Sequence, residues 1–279
     1  MVDEERLKKS CEGRAKDTDG VTLVAFYGDG KPDVLLQIIH SINGHLLRGL
    51  RDLPGLYRPY SDTQIHATLC GMEGARRSDG NIVLNNLAER PDTRSRDDAL
   101  DIEGLLDFFA TASWPLVIRL GGYQEVDVNP YDRVRLPWTR SFEIRADGLA
   151  VLMGWTITGE SQPFAPLLLG LRKYLETFGM VHKYHIDPRG QDNDLFLVIG
   201  SLDYEAWISK SEQEKAAITA RLLDLQRSIR TSMAGRPVCI PLGREEITVV
   251  KYKRTTLERV NFAKNVNTTT ADEIRSLYP

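Results

Sequence analysis

The chain has 279 residues, 42% hydrophobic and 27% charged, which suffices for one large domain or two modest ones with a sizeable core. A formal net charge of −3 excludes any global attraction to duplex nucleic acid or an anionic membrane, so an anionic ligand must be held by a local cluster of cations. Three widely spaced cysteines, Cys11, Cys70 and Cys239, argue against a disulfide framework or a zinc site, and the apolar runs around Cys70 and Cys239 predict buried thiols.

Residues 1–19 are charged and aperiodic and predict a mobile or loosely docked tail. No apolar signal segment opens the chain, and no run approaches the roughly 18 apolar residues of a membrane helix, so a cytoplasmic protein with no membrane partner is expected. A buried strand is predicted over 21–27, followed by a helix from Pro32-Asp33 to about residue 50, with Val34, Leu35, Ile38, Ile39, Ile42 and Leu46 at helical spacing. Residues 65–70 (IHATLC) alternate in polarity and predict a strand with His66 and Thr68 on one face. Residues 73–98 are polar and predict a surface excursion. A short helix over 100–112, a strand over 115–120, a second long loop over 123–139, and strands over 141–146 and 149–156 joined at Asp147-Gly148 follow.

A helix over 164–178 stopped by Gly179 comes next, then a polar loop and a strand over 194–201. The pair Ser211 and Glu214 forms a capping-box pattern at the start of a helix reaching about residue 233. Strands over 237–242 and 247–252 precede a polar C-terminal extension, 258–279, with a short helix.

The element order strand, helix, strand, helix, strand, strand occurs twice. VTLVAFY at 21–27 matches AVLMGWT at 150–156, the strands with His66 and Asp194 lie 128 residues apart, and PLVIRLGG at 115–122 matches PVCIPLGR at 237–244. Chance likeness between apolar strands is the alternative. The expectation is an α+β fold of two pseudo-repeated lobes, 20–148 and 149–257, forming one compact domain around a central cleft.

Over about residues 20–255 this arrangement resembles the two-histidine phosphoesterase superfamily, which includes RNA 2',3'-cyclic phosphodiesterases and related RNA-processing enzymes. The resemblance rests on element order and on the motif His66-Ala67-Thr68-Leu69. It implies that His66 acts in proton transfer and that Thr68 binds a phosphate oxygen, without a cofactor or metal. The second motif departs from the family pattern, reading Asp194-Leu195-Phe196-Leu197. An ionised Asp194 could serve as base, but it could act as an acid only if burial raised its pKa. Phe196 offers no grip on an oxygen but could stack on a nucleobase.

Replacement histidines stand in the preceding loop, His182 and His185, of which at most one would line the cleft; solvated loop residues are the alternative. Lys183 and Arg189 could add charge for a phosphate. Tyr57, Arg58 and Tyr60 form an aromatic-basic-aromatic set suited to a nucleotide, or a loop anchor. Three functions follow: a phosphoesterase acting on a cyclic phosphate, a 2'-linked nucleotide or an RNA end, an inactive module that binds a nucleotide or other phosphorylated ligand, or an interaction scaffold whose cleft is vestigial.

Overall fold

The computed structural model describes residues 2–85, 99–131, 135–159, 164–183 and 192–279. The predicted strands and helices are present near their expected limits, and the fold is α+β. A helix, α1 (Glu4–Ala15), opens the chain. The strand β1 (Gly20–Ala25) is wholly buried and leads to α2 (Asp33–Gly49), whose Leu35, Ile39, Ile42 and Leu46 pack into the core. Next come β2 (Tyr57–Pro59), β3 (Ala67–Gly71), the hairpin of β4 (Gly74–Arg76) with β5 (Ile82–Leu84), α3 (Ile102–Thr111) and β6 (Leu116–Leu120). A short α4 (Pro137–Ser141) enters β7 (Phe142–Ile144), and the second half runs through β8 (Leu149–Ile157), α5 (Leu167–Leu175), β9 (Asp194–Leu202), α6 (Tyr204–Ile208) and α7 (Glu212–Ala234). The chain ends with β10 (Val238–Leu242), β11 (Ile247–Tyr252), β12 (Val260–Asn265) and α8 (Ala271–Ser276).

Among the described residues, ten strands form one antiparallel sheet in the order β10-β6-β8-β9-β3-β1-β11-β12, with β2 also pairing β9 and β7 pairing β8. The strands β1 and β8 each lie one place out from the β3–β9 junction. The third match does not hold a repeat-equivalent place: β6 and β10 pair directly with each other at one edge. Their likeness is that of two apolar strands, which are compositionally alike.

Four expectations are corrected. The first residues form the capped helix α1, not a loose tail: the Asp3 carboxylate accepts from Arg6 N–H, and Leu7 is fully buried. Leu7 fits because residue 148 is glycine, with φ of 79°; a Cβ there would collide with the leucine methyl. The excursion expected at 73–98 contains the β4–β5 hairpin, in which Ile82, Val83 and Leu84 are buried, while 86–98 lie outside the described residues. The C-terminal extension adds β12 to the sheet edge, and Cys239 is exposed where a buried thiol was expected.

The sheet separates two environments. Leu23 of β1, Ala67 and Leu69 of β3, and Leu195, Leu197 and Ile199 of β9 belong to the main core with α2 and α7. The alternate positions, Thr22, Thr68, Asp194, Phe196 and Val198, line a cavity on the opposite side. At the centre, β3 and β9 pair only at Ala67 and Leu197. Beyond that pair the strands diverge, and the guanidinium of Arg172 from α5 fills the wedge. Its Nε donates to Leu69 O (3.1 Å), Nη2 to Thr68 O (3.2 Å), and Nη1 to Asp192 O (3.1 Å) and Asp194 O (3.0 Å).

Arg172 is 1% exposed and bridges the wedge, so its loss removes four hydrogen bonds to main-chain carbonyls. Arg172→Met should cost at least about 3 kcal/mol in urea unfolding. Leu7→Ala should cost about 2–4 kcal/mol in the same measurement, since a docked helix leaves a cavity and a loose tail would not.

Candidate functional site

The cavity is about 900 Å³ and is lined by both half-sites. His66 stands one residue before β3, and Thr68 shares its side of the strand; both line the cavity. The His66 Nδ1 lies 2.8 Å from Gln64 O. A carbonyl only accepts, so Nδ1 carries the proton and Nε2 keeps the lone pair. Burial drives the His66 pKa down to about 4, with the nearby Lys31 ammonium acting in the same direction. Lys31 is itself buried, its pKa lowered to about 8, and donates to Gly28 O (2.8 Å). His66 is therefore neutral across the physiological range, and Tyr27 packs edge-on to its ring at 6.5 Å.

The second half-site starts β9. Asp194 is 4% exposed, and its carboxylate pairs with Arg140 from α4. Burial raises the Asp194 pKa to about 7, and the negative charge of Asp192 acts in the same direction against the opposing Arg140 and Arg172. Two residues on, Phe196 lines the cavity with the Arg145 guanidinium 5.5 Å from its ring centroid. His182, one of the replacement histidines, is buried on the cavity wall with Nε2 3.7 Å from Asp192 Oδ2; the other Asp192 oxygen is 3.7 Å from Arg172. Lys183 also lines the cavity. His185 and Arg189 lie outside the described residues.

The aromatic-basic-aromatic set divides. Tyr57 is buried and donates to Asn43 Oδ1 at 2.6 Å, and its ring crosses β9 where residue 200 is glycine, since a Cβ would strike the phenol. Its expected ligand role is corrected to an anchor. Arg58 points away from the cavity to Asp203 (2.8 Å), so it too is corrected. Only Tyr60 reaches the lining.

Spacing along the chain missed several lining residues: Arg14 from α1, Arg140 and Arg145 around β7, Arg172 from α5, and Thr255 and Thr256 after β11. Among the described residues, six that line the cavity are lysine or arginine and four are aspartate or glutamate, a local cationic excess in a chain of net charge −3. That is the local cluster an anionic ligand requires. Among the described residues, no group of three or more His, Cys, Asp or Glu side chains is placed to hold a metal ion, and no helix is long and apolar enough to cross a membrane.

The two perturbed groups make opposite demands on stability. His66, with its pKa below the ordinary 6.5, stabilises the fold above about pH 6.5 and loses that contribution as pH falls towards 4. Asp194, with its pKa raised from 3.8, does the reverse: its contribution is present below about pH 4 and lost as pH rises towards 7. Urea unfolding of His66→Gln against the parent should therefore show a stability difference that changes in the parent's favour between pH 4 and 6.5. A constant difference would contradict a half-buried, neutral His66.

The sequence matches no protein-family model and no curated protein. Two solved structures are similar in part. One is the conserved protein of unknown function ATU0111 from Agrobacterium tumefaciens str. C58, at 15% identity and a TM-score of 0.40, over 88% of this chain and 84% of that one. The other is TT0787 of Thermus thermophilus, at 13% identity and a TM-score of 0.37, over 90% of this chain and all (100%) of that one.

Proposed function

We propose that the cavity is the site of a phosphoesterase acting, without a metal, on a cyclic phosphate, a 2'-linked nucleotide or an RNA end. The observation that carries this reading is that one cavity holds a histidine of depressed pKa and a carboxyl of raised pKa, on neighbouring strands whose one pair, Ala67 with Leu197, sets Asp194 four residues along β9 from the position opposite His66. Environments that push two titratable groups apart in this way assign the base and the acid. Neutral His66 takes a proton from water through Nε2. The water oxygen bonds to phosphorus as the bond from phosphorus to the leaving ribose oxygen breaks, and protonated Asp194 returns a proton to that oxygen. Thr68 donates to a non-bridging oxygen, and the cationic wall offsets the developing charge. Phe196 under Arg145 provides a face for a base.

A second reading has its own support. Arg140 holds the Asp194 carboxylate in a buried ion pair, and an Asp194 kept ionised would leave the site able to bind but not to turn over. A phosphorylated ligand and a cytoplasmic setting belong to both readings; the three free cysteines accord with a reducing compartment.

Hydrolysis of 2',3'-cyclic nucleotides and 2'-5' oligonucleotides in EDTA is the test. The profile of kcat/KM should rise near pH 4 and fall near pH 7, as His66 and then Asp194 lose their protons. Asp194→Asn should remove the upper limb, and His66→Ala should lower the rate about 10²–10⁴-fold. Tight binding with no turnover in the parent would select the binding module, and full hydrolysis by His66→Ala would refute the mechanism.

A further inference from the structure

The cavity extends well past Asp194. Tyr60 N–H donates to Ile199 O (3.0 Å), which fixes Tyr60 at the end of β9 away from Asp194, one residue on from Val198, the position opposite His66. Asp194 is five residues away on that strand, roughly 16 Å. The far end is built by Arg14 of α1, Tyr60, and the turn 255–257 between β11 and β12, all of which line the cavity. Arg14 is partly buried and donates to the Ser10 hydroxyl and to Cys11 Sγ (3.0 Å), neither of which is a carboxylate. By contrast, Arg140 and Arg145 on the opposite wall pair with Asp194 and Asp147.

Two hydroxyls at this end are also unsatisfied. Thr256 is 9% exposed, and its buried Oγ1 has no hydrogen-bond partner. The buried Tyr60 hydroxyl sits near Ser201 and within the field of Arg14, yet makes no hydrogen bond of good geometry. Buried polar atoms without partners are costly in a folded protein and mark where a ligand would supply them. The neighbouring acids are occupied elsewhere: Asp17 pairs with Arg254 and Arg259, Glu258 with Arg254, and Glu73 accepts from Tyr252.

We propose that Arg14, Tyr60 and Thr256 form a second anion subsite that takes another phosphate of the ligand held at His66. The inference rests on the phosphoester reading and names its substrate class: a nucleotide chain with separated phosphates, such as an oligonucleotide end, in preference to a mononucleotide. A cavity of about 900 Å³ lies at the upper end of ligand pockets and has room for such a chain. The helix α1 then has a binding role as well as a packing one, because it carries Arg14 to the rim.

The experiment compares binding of adenosine 3'-monophosphate with binding of 5'-phosphorylated triadenylate, whose phosphates sample the length of the cavity. Calorimetry at low salt would be run on the parent, Arg14→Gln, Tyr60→Phe and His66→Gln. The parent should bind the trinucleotide at least about tenfold more tightly than the monophosphate. Arg14→Gln should lose about tenfold for the trinucleotide while leaving the monophosphate within about twofold. Its salt dependence for the trinucleotide should fall by about 0.7 in log–log slope, as expected for one lost contact to a single strand. Tyr60→Phe should show a smaller loss of the same kind, and His66→Gln should keep the trinucleotide advantage. Monophosphate binding without that advantage, or an advantage that survives Arg14→Gln, would overturn the subsite alone. Binding of neither ligand by the folded parent would overturn the phosphoester reading and the subsite with it.

Discussion

The wedge between β3 and β9 is the constraint on which the rest of the molecule depends. Two central strands of a continuous sheet meet at a single pair, Ala67 and Leu197, and then part. Arg172 makes the parting tolerable by donating to four main-chain carbonyls from a position that is 1% exposed. An arginine suits this task because its planar fork carries five donors and no acceptor, and it stays charged when buried. Register shifts in the flanking pairs, β1 with β3 and β8 with β9, complete the distortion.

The same distortion positions the chemistry. His66 and Thr68 stand at one side of the junction, and Asp194 and Phe196 at the other, all on the side of the sheet away from the main core. Burial against the sheet lowers the His66 pKa and raises that of Asp194, so a single cause, desolvation, leaves the histidine neutral and the carboxyl protonatable. The arginines around them offset the cost of burying acids, and they leave the cavity with more cations than anions.

Much of this was legible in the sequence, for reasons specific to particular residues. Pro32-Asp33 and the spacing of Leu35, Ile39, Ile42 and Leu46 announce α2, Gly179 in a left-handed conformation ends the helical stretch that continues α5, and Ser211 with Glu214 caps α7. Alternation over 65–70 places His66 and Thr68 together. What escaped reading depends on contacts across the chain. The α1 helix buries only Leu7, too little apolar periodicity to separate it from a tail, and its seat at Gly148 is 141 residues away in sequence. Arg140 and Arg172 look like ordinary surface cations on their own helices until the sheet brings β3 and β9 to them. Tyr57 and Tyr60, three residues apart, look alike locally, yet one meets Asn43 in the core and the other meets the cavity.

The most direct test of the central claim is a crystal structure of the protein with a nucleoside 2'- or 3'-monophosphate. The expected result is a phosphate oxygen accepting from Thr68 Oγ1 and the P–OH of the phosphate monoanion donating to His66 Nε2, with Nδ1 still donating to Gln64 O. A phosphate bound only outside the cavity, or inside it with His66 and Thr68 untouched, would contradict a phosphate site built on these two residues.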